Sequence, residues 1–311
     1  MEHIPVMTRE VLAAMQQLRP DAVVVDATFG RGGHARALLE LLGRGGRLIA
    51  MDWDEQAVQA GQSLAAGDAR VEIHRADHAS IERVLEAACG SAHGVVDAVL
   101  VDLGVSSPQL DEAARGLSFL HEGPLDMRMD QRRPLTAARL VNEASESELA
   151  DCFYLLADER YSRRIAAAIV RARAEGPFQG TRRLAEVVAA AHPRWPPSQH
   201  PATRVFQALR MRVNDEGEQL DAMLAALPRV LRVGGRAVVI SFHSGEDRRV
   251  KLAFNGANRE RDPRIARLEA ARPARVAALR AVGRAQRPAD DEVAANPRAR
   301  SAVLRVAERV A

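Results

Sequence analysis

Lysine is almost missing from this chain: Lys251 is the single lysine, and arginine supplies the rest of the 44 basic residues. Cysteine is scarce too. Cys89 and Cys152 are the only two. They lie in helix-like segments at a spacing that fits no zinc motif, which excludes a disulfide-stapled scaffold and leaves reduced thiols of a cytoplasmic protein. Nothing else has metal-ligand spacing, so no metal is expected. Aromatic residues make up only 4 % of the chain, so ring platforms for a planar ligand are few. No apolar run approaches the length of a membrane-spanning helix. The segment Met1–Val6 lacks the basic start and apolar core of a secretory signal. The expectation is a cytoplasmic protein with no membrane partner. What the chain does have is bulk: 311 residues, 47 % of them hydrophobic, are enough for one domain carrying a large insertion, or for two domains.

The charge is unevenly spread. Residues 1–125 hold 10 Arg against 18 acids, a balance of −8, whereas residues 126–212 hold 15 Arg against 10 acids, +5. Residues 213–247 return to −3, and residues 248–311, with 15 Arg and 1 Lys against 7 acids, reach +9. A coding bias writes arginine for lysine, but it does not segregate the signs. A basic middle and tail point to an anionic partner, of which nucleic acid fits best.

The acidic first part alternates. Strand-like runs at Val23–Asp26, Arg47–Met51, Arg70–His74 and Asp97–Val101, the second and fourth running straight into Asp52 and Asp102, are separated by helix-like segments at Ala35–Leu42, Asp54–Leu64 and Ser80–Ala88, with Asp54 placed as an N-cap. This is the pattern of βαβ units and a parallel sheet. From Leu110 to about Val213 no strand pattern is found. A capping box at Ser145–Glu148 opens one helix, and Arg163–Ala174, Thr181–Ala191 and Thr203–Val213 read as others, the last capped by Thr203. The sheet then resumes. A helix stripe (Leu220, Met223, Leu224, Leu227) leads through a Gly234–Gly235 turn to a strand at Ala237–Phe242, and Ser301–Val306 forms a last strand. The Arg- and Ala-rich stretch 256–292 gives no clear pattern. The expected architecture is α/β. A Rossmann-like core made of residues 1–110 and 214–311 is interrupted by an all-helical subdomain at 111–213, expected to recognise RNA.

Three strand-like runs end in a carboxylate: Asp26, Asp52 and Asp102. The first is followed by Thr28-Phe29-Gly30-Arg31-Gly32-Gly33-His34, a loop in which glycine permits tight turns and close ligand approach. A carboxylate at Asp52, on the tip of the next strand, can accept hydrogen bonds from ribose hydroxyls. Together they point to a nucleoside cofactor. Gly30-x-Gly32-x-x-Ala35 also fits the dinucleotide fingerprint, which keeps an NAD-dependent enzyme open. Against it, Asp26 would oppose a pyrophosphate and suit a cationic methionine moiety. Asp102 runs into Leu-Gly-Val-Ser-Ser-Pro, a loop like the acid-x-x-Pro sites of amino-group methyltransferases. S-adenosyl-L-methionine therefore fits better. A third polar cluster, Ser241 to Arg248, follows an apolar strand. His243 there could handle a proton, and a polar loop with a capped helix start explains it equally well.

Seven stretches, in this order and spacing, resemble the bacterial 16S rRNA cytosine-N4-methyltransferase family, RsmH/MraW. They are HIPV at 3–6, DATFGRGGH at 26–34, DLGVSSPQLD at 102–111, GPLDMRMD at 123–130, HPATRVFQALRMRVN at 200–214, VVISFHSGEDR at 238–248 and NPRARSAVLR at 296–305. The resemblance covers nearly the whole chain. It implies an S-adenosyl-L-methionine-dependent methyltransferase core with a helical insertion, acting on a cytidine in the decoding region (P site) of 16S rRNA in the small ribosomal subunit. It also implies a cofactor set of Gly32, Gly33, His34, Asp52, Asp102 and Gln109. Where the family usually places Phe beside the adenine this chain has His78, which can stack but can also charge. Where Leu is usual it has Gly245.

For such chemistry the acceptor of the N4 amino hydrogen bond is expected to be Asp102, with Ser106, the Pro108 turn and His243 behind it. Phe29, Trp195 and Phe242 are the rings expected near the base. Arg163, Arg164, Arg204, Arg210, Arg212, Arg298 and Arg300 are candidates for phosphate contacts. A DNA amino methyltransferase and a non-catalytic RNA-binding protein with a degenerate pocket remain as competing readings. Oligomeric state is open, a homodimer included.

Overall fold

The computed structural model describes residues 5–194, 200–255 and 278–311. Trp195, His3 and residues 256–277 of the Arg- and Ala-rich stretch lie outside the described residues. The chain divides into two compact units, one of residues 1–104 and 218–311 and one of residues 105–217.

The first unit is built on seven strands: β1 (Val23–Asp26), β2 (Arg47–Asp52), β3 (Val71–Arg75), β4 (Val96–Asp102), β5 (Leu231–Ser241), β6 (Leu279–Ala281) and β7 (Val303–Arg309). They lie in the order β3-β2-β1-β4-β5-β7-β6. The first five pair in parallel, and β7 runs antiparallel to β5 and β6. The chain therefore leaves β1 toward β2 and β3, then returns to place β4 on the other side of β1. That reversal makes a topological switch point at the carboxyl ends of β1 and β4, where ligands sit in open α/β sheets.

The strands read as continuous apolar runs because both faces of the sheet are covered. Val25, Ile49, Met51, Val99, Val101 and Val239 face one core. It is completed by the helices α4 (Ile81–Cys89), α11 (Glu216–Val230) and α12 (Ser244–Phe254). Their neighbours Val24, Leu48, Ala50, Ala98, Leu100, Val238 and Ile240 face the other core, under α1 (Thr8–Met15), α2 (Gly33–Leu41) and α3 (Glu55–Gly67). The period of two along each strand assigns the faces.

Four expectations need correcting in detail. The strand after the helix stripe begins at Leu231, not Ala237, and Gly234–Gly235 form an irregularity inside it rather than a turn before it. Gly234 takes φ +80°, and a Cβ on Gly235 would meet the Arg232 and Val96 carbonyl oxygens at 2.9 and 3.0 Å. The last strand starts at Val303, because Pro297 opens a 3₁₀ turn capped by Asn296 over Pro297–Ser301. Within the stretch 256–292, Leu279–Ala281 is the edge strand β6 and Asp290–Ala295 forms a helix, α13. Finally, Thr203 is not a cap: its helix begins at Ala202, and the Thr203 N–H donates to the His200 carbonyl at 3.0 Å.

The second unit is helical, with α5 (Ser107–Asp111), α6 (Ala137–Glu143), α7 (Glu146–Ala157), α8 (Ser162–Glu175), α9 (Thr181–Ala191) and α10 (Ala202–Asn214). Ser145 and Glu148 form the expected capping box on α7. Leu149, Phe153, Ile165, Ile169, Leu184, Val188, Phe206 and Leu209 fill its core. The motif at 123–130 is a tightly folded loop of this unit. Arg128 grips Asp126 through Nε and Nη2 at 2.8 and 2.7 Å and donates to the Gln131 and Arg133 carbonyls. Asn214, fully buried, closes the loop: its Oδ1 accepts from Met129 N–H at 2.9 Å and its Nδ2 donates to Met127 O at 2.8 Å. Asn214→Ala would strand both backbone groups and is expected to lower stability by about 2–4 kcal/mol. Calorimetric unfolding reads this directly, and an unchanged transition would mean the clamp carries no weight.

Candidate functional site

Asp26, Asp52 and Asp102 end β1, β2 and β4, which are neighbours in the sheet. Asp26 is opposite Leu100 of β4 and Ala50 of β2, so Asp52 and Asp102 each project two residues beyond it. The loop after β1 ties them together. Thr28 N–H donates to Asp26 Oδ1 at 3.2 Å, while Thr28 Oγ accepts from Asp102 N–H at 2.6 Å. Gly30 N–H donates to Asp52 Oδ2 at 2.8 Å, and Asp54 N–H to Asp52 Oδ1 at 2.9 Å. The Trp53 backbone N–H is a third donor to Asp52, which leaves the carboxylate one of its four acceptor sites for a further donor.

The glycines serve the protein's own packing. Gly30 and Gly32 take φ +56° and +75°, and a Cβ on Gly32 would lie 2.6 Å from Phe29 Cζ. A Cβ on Gly33 would lie 2.9 Å from Pro5 Cγ. Gly32→Ala must therefore displace the buried Phe29 ring and strain a left-handed backbone. It is expected to cost about 1–3 kcal/mol, measured as a lowered denaturant midpoint; an unmoved midpoint would show the loop to be slack.

Gly33 opens α2, so His34 stands in its first turn, buried against the strand tips. His34 Nε2 lies 3.5 Å from Asp102 Oδ2. Burial disfavours the imidazolium, but the Asp102 contact and the fields of Asp102 and Asp26 outweigh it and raise the His34 pKa above its usual range. Burial pushes the Asp26 carboxyl up to about 7; His34 partly offsets this, and the negative charge of Asp102 and Asp52 adds to it. Asp52 is pushed up to about 6, again by burial, against the hydrogen bonds from Asp54 and Gly30. Asp26 Oδ2 and Asp102 Oδ1 are buried with no hydrogen-bond partner among the described residues. The strand tips thus set three carboxyls against one imidazole, with two oxygens lacking donors among the described residues. That charge suits a cationic ligand bearing hydroxyl and ammonium groups and opposes a pyrophosphate.

His78 stands in the turn after β3, where Asp77 caps the turn by accepting from Ser80 N–H. Burial drives its pKa down to about 4, so at neutral pH it is uncharged. The concern that an imidazole there would carry charge does not apply. Its Nε2 is buried without a partner, and Trp53 meets its ring edge-on at 6.2 Å.

His243 lies just past β5, the strand beside β4, and caps α12: its Nδ1 accepts from Glu246 N–H at 3.4 Å. Its Nε2 faces Glu246 Oε1 at 3.1 Å. Buried Glu246 also accepts from Phe242 N–H through Oε2 at 2.8 Å. The arrangement is first of all a helix start. Ser106 and Gln109 belong to the helical unit, where Ser106 N–H donates to Gln109 Oε1 at 2.9 Å. Phe29 is buried and packed on Gly32, and Phe242 is half-buried near Gly104.

Several arginines named from the sequence are already engaged. Arg210 binds Glu216 through two 2.8 Å contacts, Arg212 pairs with Asp215, and Arg204 donates to the Asp158 carbonyl. Arg163, Arg164 and Arg300 are exposed. Sequence reasoning missed Thr28 as the link between tips, Glu246, and Glu292. Glu292 accepts from Met7 N–H at 2.6 Å, and its charge reaches His34. No local pattern marks Glu292, because α13 is far from the loop in sequence.

A model of the MraW methylase family matches residues 1–310. The chain belongs to that family. Its match to the family is continuous through both compact units. It is 48 % identical over 315 residues to the ribosomal RNA small subunit methyltransferase H of Thiobacillus denitrificans, covering 99 % of this chain and 97 % of that one. It is also 48 % identical over 308 residues to the protein of the same name from Xanthomonas euvesicatoria, covering 99 % and 89 %. A solved rRNA methylase from Streptococcus thermophilus covers 100 % of this chain and 99 % of its own at 12 % identity and a TM-score of 0.38, too low to add to the assignment. The family resemblance expected from the seven motifs is borne out, and the dinucleotide reading of the glycine loop gives way to a methylase.

Proposed function

We propose that this methylase transfers a methyl group from S-adenosyl-L-methionine to the exocyclic N4 of a cytidine in the decoding region (P site) of 16S rRNA, within the small ribosomal subunit. The observation that carries the reading is the crevice of Asp26, Asp52 and Asp102, acidic, buried and short of donors. When bound, the cofactor supplies an electrophilic methyl group on a positively charged sulfur. Asp52 holds a ribose hydroxyl on its remaining acceptor site. Asp26 and the loop through Gly32, Gly33 and His34 hold the methionine end. His78, neutral and edge-on to Trp53, packs beside the adenine, and the family resemblance adds Gln109 to the cofactor set.

The N4 amino group is a poor nucleophile because its lone pair is delocalised into the ring. The residues must hold it in line with the methyl carbon, about 3–3.5 Å away. Asp102 Oδ1 accepts one N4 hydrogen, keeping electron density on nitrogen as the new bond forms. His34 lies against Oδ2 and orients the Asp102 carboxyl. Transfer breaks the sulfur–methyl bond, so S-adenosylhomocysteine leaves, and the N4 proton passes to Asp102, with Ser106 and His243 the second-rank candidates to receive it. A cytosine inside a duplex is out of reach, so the target is unpaired or flipped. The helical unit holds the RNA, and the enzyme works in the cytoplasm.

RNA affinity is expected to fall steeply with salt, by roughly tenfold or more between 50 and 200 mM. A filter-binding titration measures this; a flat response would remove phosphate contacts from the account. The function itself is tested by methyl transfer to under-methylated small subunits set against duplex DNA, with transfer expected only to the former.

A further inference from the structure

We propose that the exposed end of the α7–α8 hairpin is a contact surface for unpaired RNA, with Tyr154 and Tyr161 stacking on bases and Arg160, Arg163 and Arg164 meeting the flanking phosphates. This rests on the reading of the helical unit as the part that holds RNA, and it names the surface that does so.

The chain has only two tyrosines, and both are here. Tyr154 is 58 % exposed, Tyr161 38 % and Leu155 72 %, in a protein whose other rings are mostly buried. Scattered single apolar residues on a surface need no explanation, but three at one hairpin end in an aromatic-poor chain do. The turn that presents them is fixed. Asp158 takes φ +51°, and its carbonyl accepts from Arg204 Nη1 at 2.7 Å. Tyr161 N–H donates to buried Glu159 at 2.8 Å, and the Tyr161 ring packs edge-on to His192 with centroids 4.7 Å apart. A ring held in this way loses little freedom when a base stacks on it.

Arg160, Arg163 and Arg164 are exposed and make no hydrogen bond or ion pair with another described residue. Exposed acids at this end are Asp151 and Asp158, and Glu159 is turned inward toward His192. The exposed guanidiniums at this end therefore outnumber the exposed carboxylates beside them, within residues 126–212, whose balance is +5. Aromatic rings interleaved with unpaired arginines are what an unpaired strand requires: every base has a face to stack, and every linkage a charge to neutralise. A protein partner would need carboxylates to match. That alternative is an outcome of the test.

The test uses the full chain and a fluorescein-labelled, mixed-sequence single-stranded RNA of roughly 12 nucleotides, followed by anisotropy across a salt series. Tyr154→Ser is expected to weaken binding roughly tenfold with the salt slope unchanged, since it removes a stack and no charge. Arg163→Gln with Arg164→Gln is expected to weaken binding and reduce the slope by about 1.4, the loss of two phosphate contacts to a single strand. Both variants are expected to bind S-adenosyl-L-methionine as the unaltered protein does, which confirms the fold. Photo-crosslinking of the unaltered protein to 4-thiouridine-substituted RNA is expected to label the 154–164 peptide, with no variant involved. Variants that bind the RNA normally, label that avoids this peptide, or a loss seen only toward protein-containing particles would each overturn the proposal. Methyl transfer by the unaltered protein is measured alongside. Its absence with RNA binding still lost in the variants would sink the proposed reaction and leave this surface standing. Normal transfer with RNA binding undisturbed in the variants would do the reverse.

Discussion

Asp102→Ala is expected to leave a folded protein that binds RNA and has lost methyl transfer by at least about a thousandfold. The side chain sits at a strand tip with Oδ1 unpartnered and Oδ2 against His34, so removing it opens no cavity in either core. On the proposed mechanism, what disappears is the acceptor that keeps charge on N4, together with the carboxylate that faces His34. Asp102→Asn is the sharper variant. It keeps the shape and one acceptor oxygen but not the negative charge, and should recover only a small part of the rate. Single-turnover transfer at saturating S-adenosyl-L-methionine separates the chemical step from binding. Near-normal turnover by the alanine variant would remove Asp102 from the mechanism.

The second large effect concerns pH and the charge of the cofactor. Asp26, near 7, and Asp52, near 6, are neutral in part at the pH where most carboxylates are ionised. A positively charged ligand favours their ionised forms, so its affinity should rise as pH rises through those values. Between pH 5.5 and pH 8 the gain is expected to be on the order of tenfold to a hundredfold. The sign for folding is opposite. A carboxyl whose folded-state pKa is raised stabilises the fold fully below its ordinary value near 4, and that contribution is lost as pH rises through about 7.

Asp26→Asn should therefore raise the melting temperature of the ligand-free protein at pH 8 by several degrees while weakening cofactor binding. The weakening should be larger for S-adenosyl-L-methionine than for S-adenosylhomocysteine, whose sulfur is neutral. Asp52→Ala should weaken both alike, by roughly a hundredfold, since the ribose is common to them. Titration calorimetry at two pH values supplies all these numbers. A pH-independent affinity, or an Asp26→Asn variant with unaltered preference between the two ligands, would contradict the electrostatic account.

The acidic strand tips were legible because a strand covered on both faces is written in Val, Leu, Ile and Ala, and the first polar residue after it marks the edge of the sheet. Asp26, Asp52 and Asp102 each stood at such an edge. The Asp54 cap and the Ser145–Glu148 box were legible because their partners lie within three residues. What sequence could not supply came from contacts distant along the chain. Asn214 read as a polar residue on a helix, and its partners are Met127 and Met129. Arg210 read as a candidate for a phosphate contact, and its charge is spent on Glu216. Gly234–Gly235 read as a turn, because an irregularity inside a strand uses the same residues. Thr203 read as a cap, but the imidazole of His200 accepts the Ala202 N–H in its place. The glycines of the loop pointed to a ligand, and the neighbours that require Gly32 and Gly33 are Phe29 and Pro5.

The central claim is that three carboxyls at adjacent strand ends hold a sulfonium nucleoside against the amino group of one cytosine. It is tested most directly by incubating the protein with methyl-labelled S-adenosyl-L-methionine and small ribosomal subunits from cells lacking this activity, then mapping the modified nucleotide. The account predicts label on N4 of a single cytidine in the decoding region, absent with Asp102→Ala. Label on a ring carbon, a ribose oxygen or another base, or transfer that survives loss of Asp102, would contradict it.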